Sequence, residues 1–275
     1  MTVASRSGSV PADGLTVGSI GIVAYTLATM LHEGIGHGGA CLISGGMPRV
    51  ISTVHTECSV ESRLVIAGGT LANLAAAALF FVLGRRRTST LRQFFCWLSM
   101  SINLFMATGY FLFSGISGVG DWAAIIQGLR PAWLLRSGMT IAGGAAYLLS
   151  VRLSLLEMRP LIGSDKEQRI ARAARLMRIP YFSGGLLSCI AGALNPVGWR
   201  LVALSAAAST FGGTSGLVWM DNRLKDTRAI PLGSEPEPEP INRSWNWIAL
   251  AACIATVFVL VIGPGLHFND RSPSK

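Results

Sequence analysis

The sequence predicts an all-α fold: a polytopic transmembrane helical bundle of about six to seven spans. Of its 275 residues, 51% are hydrophobic and 13% are charged, and the mean hydropathy is +0.49. Soluble domains carry about 25% charged residues, so this composition excludes an ordinary soluble enzyme. The apolar residues also collect in runs of about 20 residues, the length that crosses a bilayer as a helix.

The apolar runs predict the spans in chain order. They cover residues 18–43, 64–83, 94–117, 137–156, 181–198, 201–220 and 244–263. The predicted organisation is a flexible N-terminal tail (1–17), a membrane core (18–130), additional transmembrane helices (131–220) with a basic cytoplasmic loop (157–179), a Glu/Pro linker (221–243), and a last transmembrane helix with its tail (244–275).

The net charge of +9 is interpreted as a membrane signal. Cytoplasmic loops of membrane proteins carry an excess of Lys and Arg. Through the first four spans, eleven such residues lie on the side of the N-terminus and four on the other side. We therefore expect a multi-pass protein of the cell membrane with a cytoplasmic N-terminus, in contact with the lipid bilayer. Basic residues do not alternate with aromatic ones, so nucleic acid is not an expected partner.

A polar cluster of His32, Glu33 and His37 interrupts the first span. A charged residue at mid-membrane costs about 2.5–3.5 kcal/mol on insertion scales, so such residues persist when paired, solvated or bound to metal. Neutral imidazoles are good zinc ligands, and a nearby carboxylate can act as a base towards water. The cluster predicts a metal site; a polar pair that stabilises helix packing is the alternative.

The spacing of the two histidines predicts a distorted helix. In the metalloprotease pattern H-E-x-x-H the histidines are four residues apart, whereas His32 and His37 are five apart. On a regular helix, five residues separate the side chains by about 140°. A π-bulge absorbs one extra residue, and Gly34, Gly36, Gly38 and Gly39 make this backbone deformable. We therefore predict a π-bulge or a helix break.

The order of motifs over residues 18–125 resembles the site-2 protease type of intramembrane zinc metalloproteases. The His-Glu segment at 32–37 is similar to the first-helix motif of that family. The segment GTLAN at 69–73 fits its G-x-x-x-N pattern on the next core helix, and Asp121 follows the third span.

The resemblance implies a role for each of these residues. His32, His37 and Asp121 would bind a Zn²⁺ ion, Glu33 would be the general base, and Asn73 would position the peptide or stabilise the oxyanion. The implied activity is hydrolysis of peptide bonds in a transmembrane protein substrate. The alternative is a catalytically inactive metal-binding or pseudoprotease membrane protein that acts through partner binding.

The loop after the first span, residues 44–62, alternates around 50–60 and predicts a short β-hairpin. In the resembling family, an extended segment here can hold a substrate as an added strand. His55 and Glu57 lie in this loop, as candidates to polarise the site or as ordinary solvated residues. Cys41 and Cys58 flank the loop and could pair in an oxidising compartment.

Other interpretations stay open. The segment NPVG at 195–198 resembles the family's N-P-D-G and competes with Asp121, which in turn could be a helix N-cap. The charge count places the metal site towards the exoplasmic side, whereas in the family it lies nearer the cytosol. The segment GISG at 115–118 matches the G-x-S-G of rhomboid-type serine proteases, with His267 as the candidate partner. A transporter would show charges on several spans.

Overall fold

The computed structural model describes residues 10–86, 89–199, 203–225 and 237–268. Within these ranges the chain is mainly helical. The helices in chain order are α1 (Gly14–Ile43), α2 (Arg63–Gly84), α3 (Thr90–Ser117), α4 (Asp121–Ile125), α5 (Ala132–Ile162), α6 (Lys166–Ala193), α7 (Ala203–Gly212), α8 (Gly216–Trp219) and α9 (Trp245–Ile262). A 3-10 helix, Met220–Lys225, follows α8.

Five of the described helices are long and apolar enough to cross a membrane: α1, α2, α3, α5 and α9. They coincide with five of the predicted spans, so the prediction of a helical protein with membrane-length apolar helices is confirmed. Helix α1 packs against α3, α6 and α9, while α3 packs against α2 and α5. The helix that carries the polar cluster is therefore surrounded by other helices.

The region 181–220 differs from the two predicted spans. Residues 181–193 form the second half of α6, whose first half is rich in arginine. Helix α6 ends at Ala193, and from residue 203 the chain forms the π-helix α7, a turn and the short helix α8; residues 200–202 lie outside the described ranges. Gly212 and Gly213 lie where α7 ends, and glycine lowers the stability of a continuous helix there.

The predicted basic loop 157–179 is helical except at residues 163–165. Two of its arginines, Arg169 and Arg172, are buried. The Arg172 guanidinium donates to the carbonyl oxygens of Leu161 at 2.6 Å, Val10 at 3.0 Å and Glu239 at 2.7 Å. A buried guanidinium needs such acceptors, and here they join separate segments of the chain.

The predicted tail is shorter than residues 1–17, since α1 begins at Gly14 and the Asp13 carboxylate accepts from the backbone N–H of Thr16 at 2.9 Å. Ala12 forms a parallel bridge with Ile241, which lies in the described part of the predicted linker. Residues 1–9, and residues 226–236 of the linker, lie outside the described ranges.

The loop after α1 forms the predicted hairpin. Strands β1 (Pro48–Ile51) and β2 (Thr56–Cys58) pair antiparallel, and β3 (Leu266–His267) adds to the other edge of β1. The third strand follows α9, so local alternation in the hairpin could not predict it. A disulfide between Cys41 and Cys58 joins the end of α1 to β2.

Candidate metal centre

The polar cluster lies on a π-helical segment, Leu31–Gly38, within α1. This confirms the predicted distortion, because wider turns absorb the extra residue between the histidines. The ring centroids of His32 and His37 are 4.8 Å apart, with the rings nearly perpendicular. Both imidazoles therefore face the same side of α1, which a regular helix would not allow.

Asp121 approaches both histidines from the first turn of α4. Its carboxylate Oδ2 lies 3.4 Å from Nε2 of His32 and 3.3 Å from Nε2 of His37. Gly118 and Gly120 turn the chain into α4 with φ angles of 69° and 94°, a region that favours glycine. The N-cap position belongs to Gly120, and the structure shows no capping hydrogen bond there. The alternative that Asp121 caps the helix is therefore wrong.

Helix α4 is anchored by the residue next to Asp121. Trp122 donates from Nε1 to Thr70 Oγ1 on α2 at 3.0 Å. Its ring also meets Phe111 of α3 edge to face, with centroids 4.7 Å apart. These contacts hold the short helix against two long ones, so the position of the Asp121 carboxylate is set by packing.

Hydrogen bonds fix the tautomers of both histidines. His37 Nδ1 lies 2.8 Å from the carbonyl oxygen of Val65, which can only accept, so Nδ1 carries the proton. His32 Nδ1 lies 2.6 Å from Oδ1 of Asn73. The Asn73 amide nitrogen donates at 2.7 Å to Asn103, whose own amide donates to the Ser99 carbonyl, so the Asn73 oxygen faces His32. Both Nε2 atoms are then left with lone pairs directed at Asp121.

Gly69 and Asn73, the two residues that define the G-x-x-x-N segment, both contact His32. A Cβ atom on Gly69 would lie 2.5 Å from Nε2 of His32, so only glycine leaves room for the ring. Asn73, one helical turn later on the same face of α2, holds the other side of that ring. Asn73 is fully buried, and its amide nitrogen is engaged by Ala28 and Asn103. The structure places Asn73 as a positioning residue for His32; contact with a substrate stays a prediction.

Glu33 lies beside the histidines and is held by the hairpin. The hydroxyl of Thr56 on β2 lies 3.0 Å from the Glu33 carboxylate and 3.0 Å from its backbone oxygen. Ligand atoms of His32, Glu33 and His37 all lie within 4.8 Å of one another, so this group could hold a metal ion. The hairpin thus orients the carboxylate that the sequence singled out as a base.

The donor set fits a cation. Oδ2 of Asp121 is buried and has no hydrogen-bond partner among the described residues, although two imidazole nitrogens stand beside it. Three convergent lone pairs without a shared positive charge would repel one another. Tetrahedral bonds of about 2.0–2.1 Å imply ligand separations of about 3.3–3.4 Å, which the two measured separations match.

A cavity of about 290 Å³ opens beside these groups. Besides His32, Glu33, His37 and Asp121, its lining includes His55 and Tyr110. The Tyr110 ring meets His32 edge to face at 5.8 Å, and a Cβ on Gly120 would lie 2.9 Å from the Tyr110 hydroxyl oxygen. Sequence reasoning missed Tyr110, because a tyrosine inside an apolar span carries no motif.

The two competing motifs, NPVG at 195–198 and GISG at 115–118, make other contacts. Asn195 donates to the carbonyl oxygen of Gly263 at 2.9 Å, and none of the described residues 195–198 lines the cavity. Ser117 donates to the Phe113 carbonyl and accepts from the Val119 N–H, whereas His267 pairs with β1. These contacts give the rhomboid interpretation no serine–histidine pair.

Comparison with protein families, curated proteins and solved structures finds no match for this chain. The geometry of the centre therefore carries the functional argument alone.

Proposed function

We propose that this chain is a zinc-dependent intramembrane peptidase of the site-2 protease type, which hydrolyses peptide bonds of membrane-embedded substrates. The observation that carries the proposal is the convergence of His32, His37 and Asp121 at separations that match a tetrahedral zinc site. Two nitrogens and one carboxylate oxygen, with a fourth position open towards a cavity, are typical of catalytic zinc.

When bound, zinc would act as a Lewis acid on the peptide carbonyl and lower the pKa of water in the site. Glu33 accepts the proton of the attacking water and returns it to the departing amine. Thr56 supports this role by orienting one carboxylate oxygen, while the other remains available. Tyr110 lines the cavity, and we propose that its hydroxyl donates to the carbonyl oxygen as negative charge develops there.

We further propose that the centre faces the exoplasmic side of a cell membrane. His37 lies near the end of α1 that the charge count assigns to that side, Thr56 lies in the loop between α1 and α2, and Asp121 follows α3 on the same side. The disulfide between Cys41 and Cys58 lies at the same end, and disulfides persist in oxidising compartments outside the cytosol. Both observations favour the orientation opposite to that of the resembling family.

The experiment uses the full chain, purified in detergent, loaded with zinc and mixed with a panel of synthetic transmembrane peptides. We expect about one zinc per chain by elemental analysis and products detected by mass spectrometry. Glu33→Gln should keep the metal and abolish cleavage, whereas Glu61→Gln, an exposed carboxylate outside the cavity, should retain both. His37→Ala should lose zinc.

Three outcomes would contradict the proposal. Cleavage that persists in Glu33→Gln removes this carboxylate as the base. Stoichiometric zinc without cleavage of any peptide by the wild-type chain favours the inactive metal-binding alternative, and absence of zinc binding removes both.

A further inference from the structure

A second cavity, of about 230 Å³, lies next to the metal-centre cavity. Residues of α3, α5, the π-helix α7 and the turn that follows α7 line this cavity. The two cavities share three wall residues: Tyr110, Phe113 and Ser209. The second cavity is thus a side chamber of the candidate active site.

The walls of the side chamber are mostly apolar or lack side chains. Leu112 and Ile116 line one wall, and Gly109, Gly212 and Gly213 form much of the remainder. The polar group of Tyr147 is already engaged, because its hydroxyl accepts from the Gly216 N–H at 2.8 Å and lies 3.3 Å from Ser215 Oγ. The chamber therefore suits an apolar group rather than a charged one.

The chamber matches one large side chain in size and access. An engineered apolar cavity of about 150 Å³ binds benzene, so 230 Å³ accommodates a phenylalanine or leucine side chain. Ile116 is 62% exposed and Gly212 is also exposed, so the chamber is open at the outer surface of the bundle. A membrane-embedded peptide would meet this opening from the lipid, with its backbone beside the metal centre.

We propose that this side chamber binds a large apolar side chain of the substrate, adjacent to the bond that is cut, and so selects the cleavage site. The inference rests on the proposed peptidase function. Gly212 lines the chamber, and a Cβ atom there would meet nothing within 4 Å. A larger residue at this position should fill the chamber without displacing the backbone.

The test varies one position of a transmembrane peptide between Ala, Leu and Phe and maps the cleaved bond by mass spectrometry. We expect wild-type protein to cleave next to Leu or Phe. Gly212→Leu should reduce cleavage of the Phe peptide relative to the Ala peptide at least about tenfold, the scale on which apolar pockets discriminate side chains. Gly138→Leu is the matched control, because Gly138 is an exposed helical glycine on α5 with no atom within 4 Å of its Cβ position.

A binding readout separates this inference from the peptidase proposal. The same peptide carrying a photoreactive benzoylphenylalanine should crosslink to Leu112 or Ile116 in Glu33→Gln protein, and Gly212→Leu should suppress that crosslink. Zinc content checks the fold of each variant; if Gly212→Leu loses zinc, Gly212→Ala is expected to give a smaller shift in the same direction.

An unchanged preference in a zinc-loaded Gly212 variant would overturn the inference while leaving the peptidase proposal intact, and crosslinks only outside the chamber would do the same. If no peptide is cleaved but the crosslink forms at the chamber, the binding site stands and the peptidase proposal fails.

Discussion

Replacement of Asn73 by alanine tests whether the metal centre depends on the hydrogen bond behind His32. The hydrogen bond from His32 Nδ1 to Asn73 Oδ1 is 2.6 Å long. Asn73 is fully buried, so bulk water does not reach His32 Nδ1 to replace the amide oxygen as acceptor. Loss of a partner behind a ligating histidine weakens metal binding about 10–100-fold. This corresponds to about 1.4–2.8 kcal/mol of binding free energy. We expect Asn73→Ala to weaken zinc binding by that factor.

The assay is competition between purified protein and a chromophoric zinc chelator, with Tm measured in parallel without metal. Asn103 provides a graded comparison, because it holds the Asn73 amide at 2.7 Å but lies one step further from His32. Asn103→Ala should therefore weaken zinc binding less than Asn73→Ala. Ser101→Ala is the matched control. Ser101 is buried on α3, the helix that carries Asn103, and its hydroxyl has no partner among the described residues.

One result would refute this reasoning. If Asn73→Ala binds zinc within about twofold of wild type and keeps its Tm, the hydrogen bond does not orient His32 for a metal. If both asparagine variants and Ser101→Ala lose zinc equally, the effect is general destabilisation of α3 packing.

Three further changes test other parts of the structure. Tyr110→Phe should keep zinc but lower kcat by about 10²–10³-fold, the effect of removing one oxyanion donor; an unchanged kcat would exclude its hydroxyl from the reaction. Cys58→Ser should lower stability by about 3 kcal/mol, as expected for a closed loop of about 15 residues, because the bridged cysteines are separated by 17 positions; reductant should then have no further effect on Tm. Arg172→Met leaves buried carbonyls unpaired at about 1–3 kcal/mol each, so its Tm should fall clearly below that of Arg175→Met, an exposed arginine on the same helix.

The π-helical segment was predictable because its cause is local. One extra residue between His32 and His37, combined with four glycines at 34–39, leaves few ways to place both rings on one side of a helix. Asp121 could be proposed from its order in the chain, but its approach depends on two glycine turns and the Trp122 anchor. Only the folded chain shows that these contacts bring the carboxylate to the imidazoles.

The parts that sequence did not predict depend on distant contacts. The pairing of β3 with β1 joins residues more than two hundred positions apart, and no local pattern encodes it. The charge pattern predicts a basic loop and a separate span where the structure has the single helix α6, because backbone carbonyls bind Arg169 and Arg172 in the interior. A hydropathy scale counts each arginine as polar and does not register the carbonyl oxygens that bind its guanidinium in the fold.

The arrangement of α1 sets an order for biosynthesis. This helix is made early, yet α9 packs against it and β3 completes the sheet beside the polar cluster. The Arg243 guanidinium, just before α9, also bonds Asp13 at 3.0 Å, just before α1. The ribosome must therefore reach residue 267 before the surroundings of the centre are complete, and we expect nascent chains halted before α9 to hold zinc poorly.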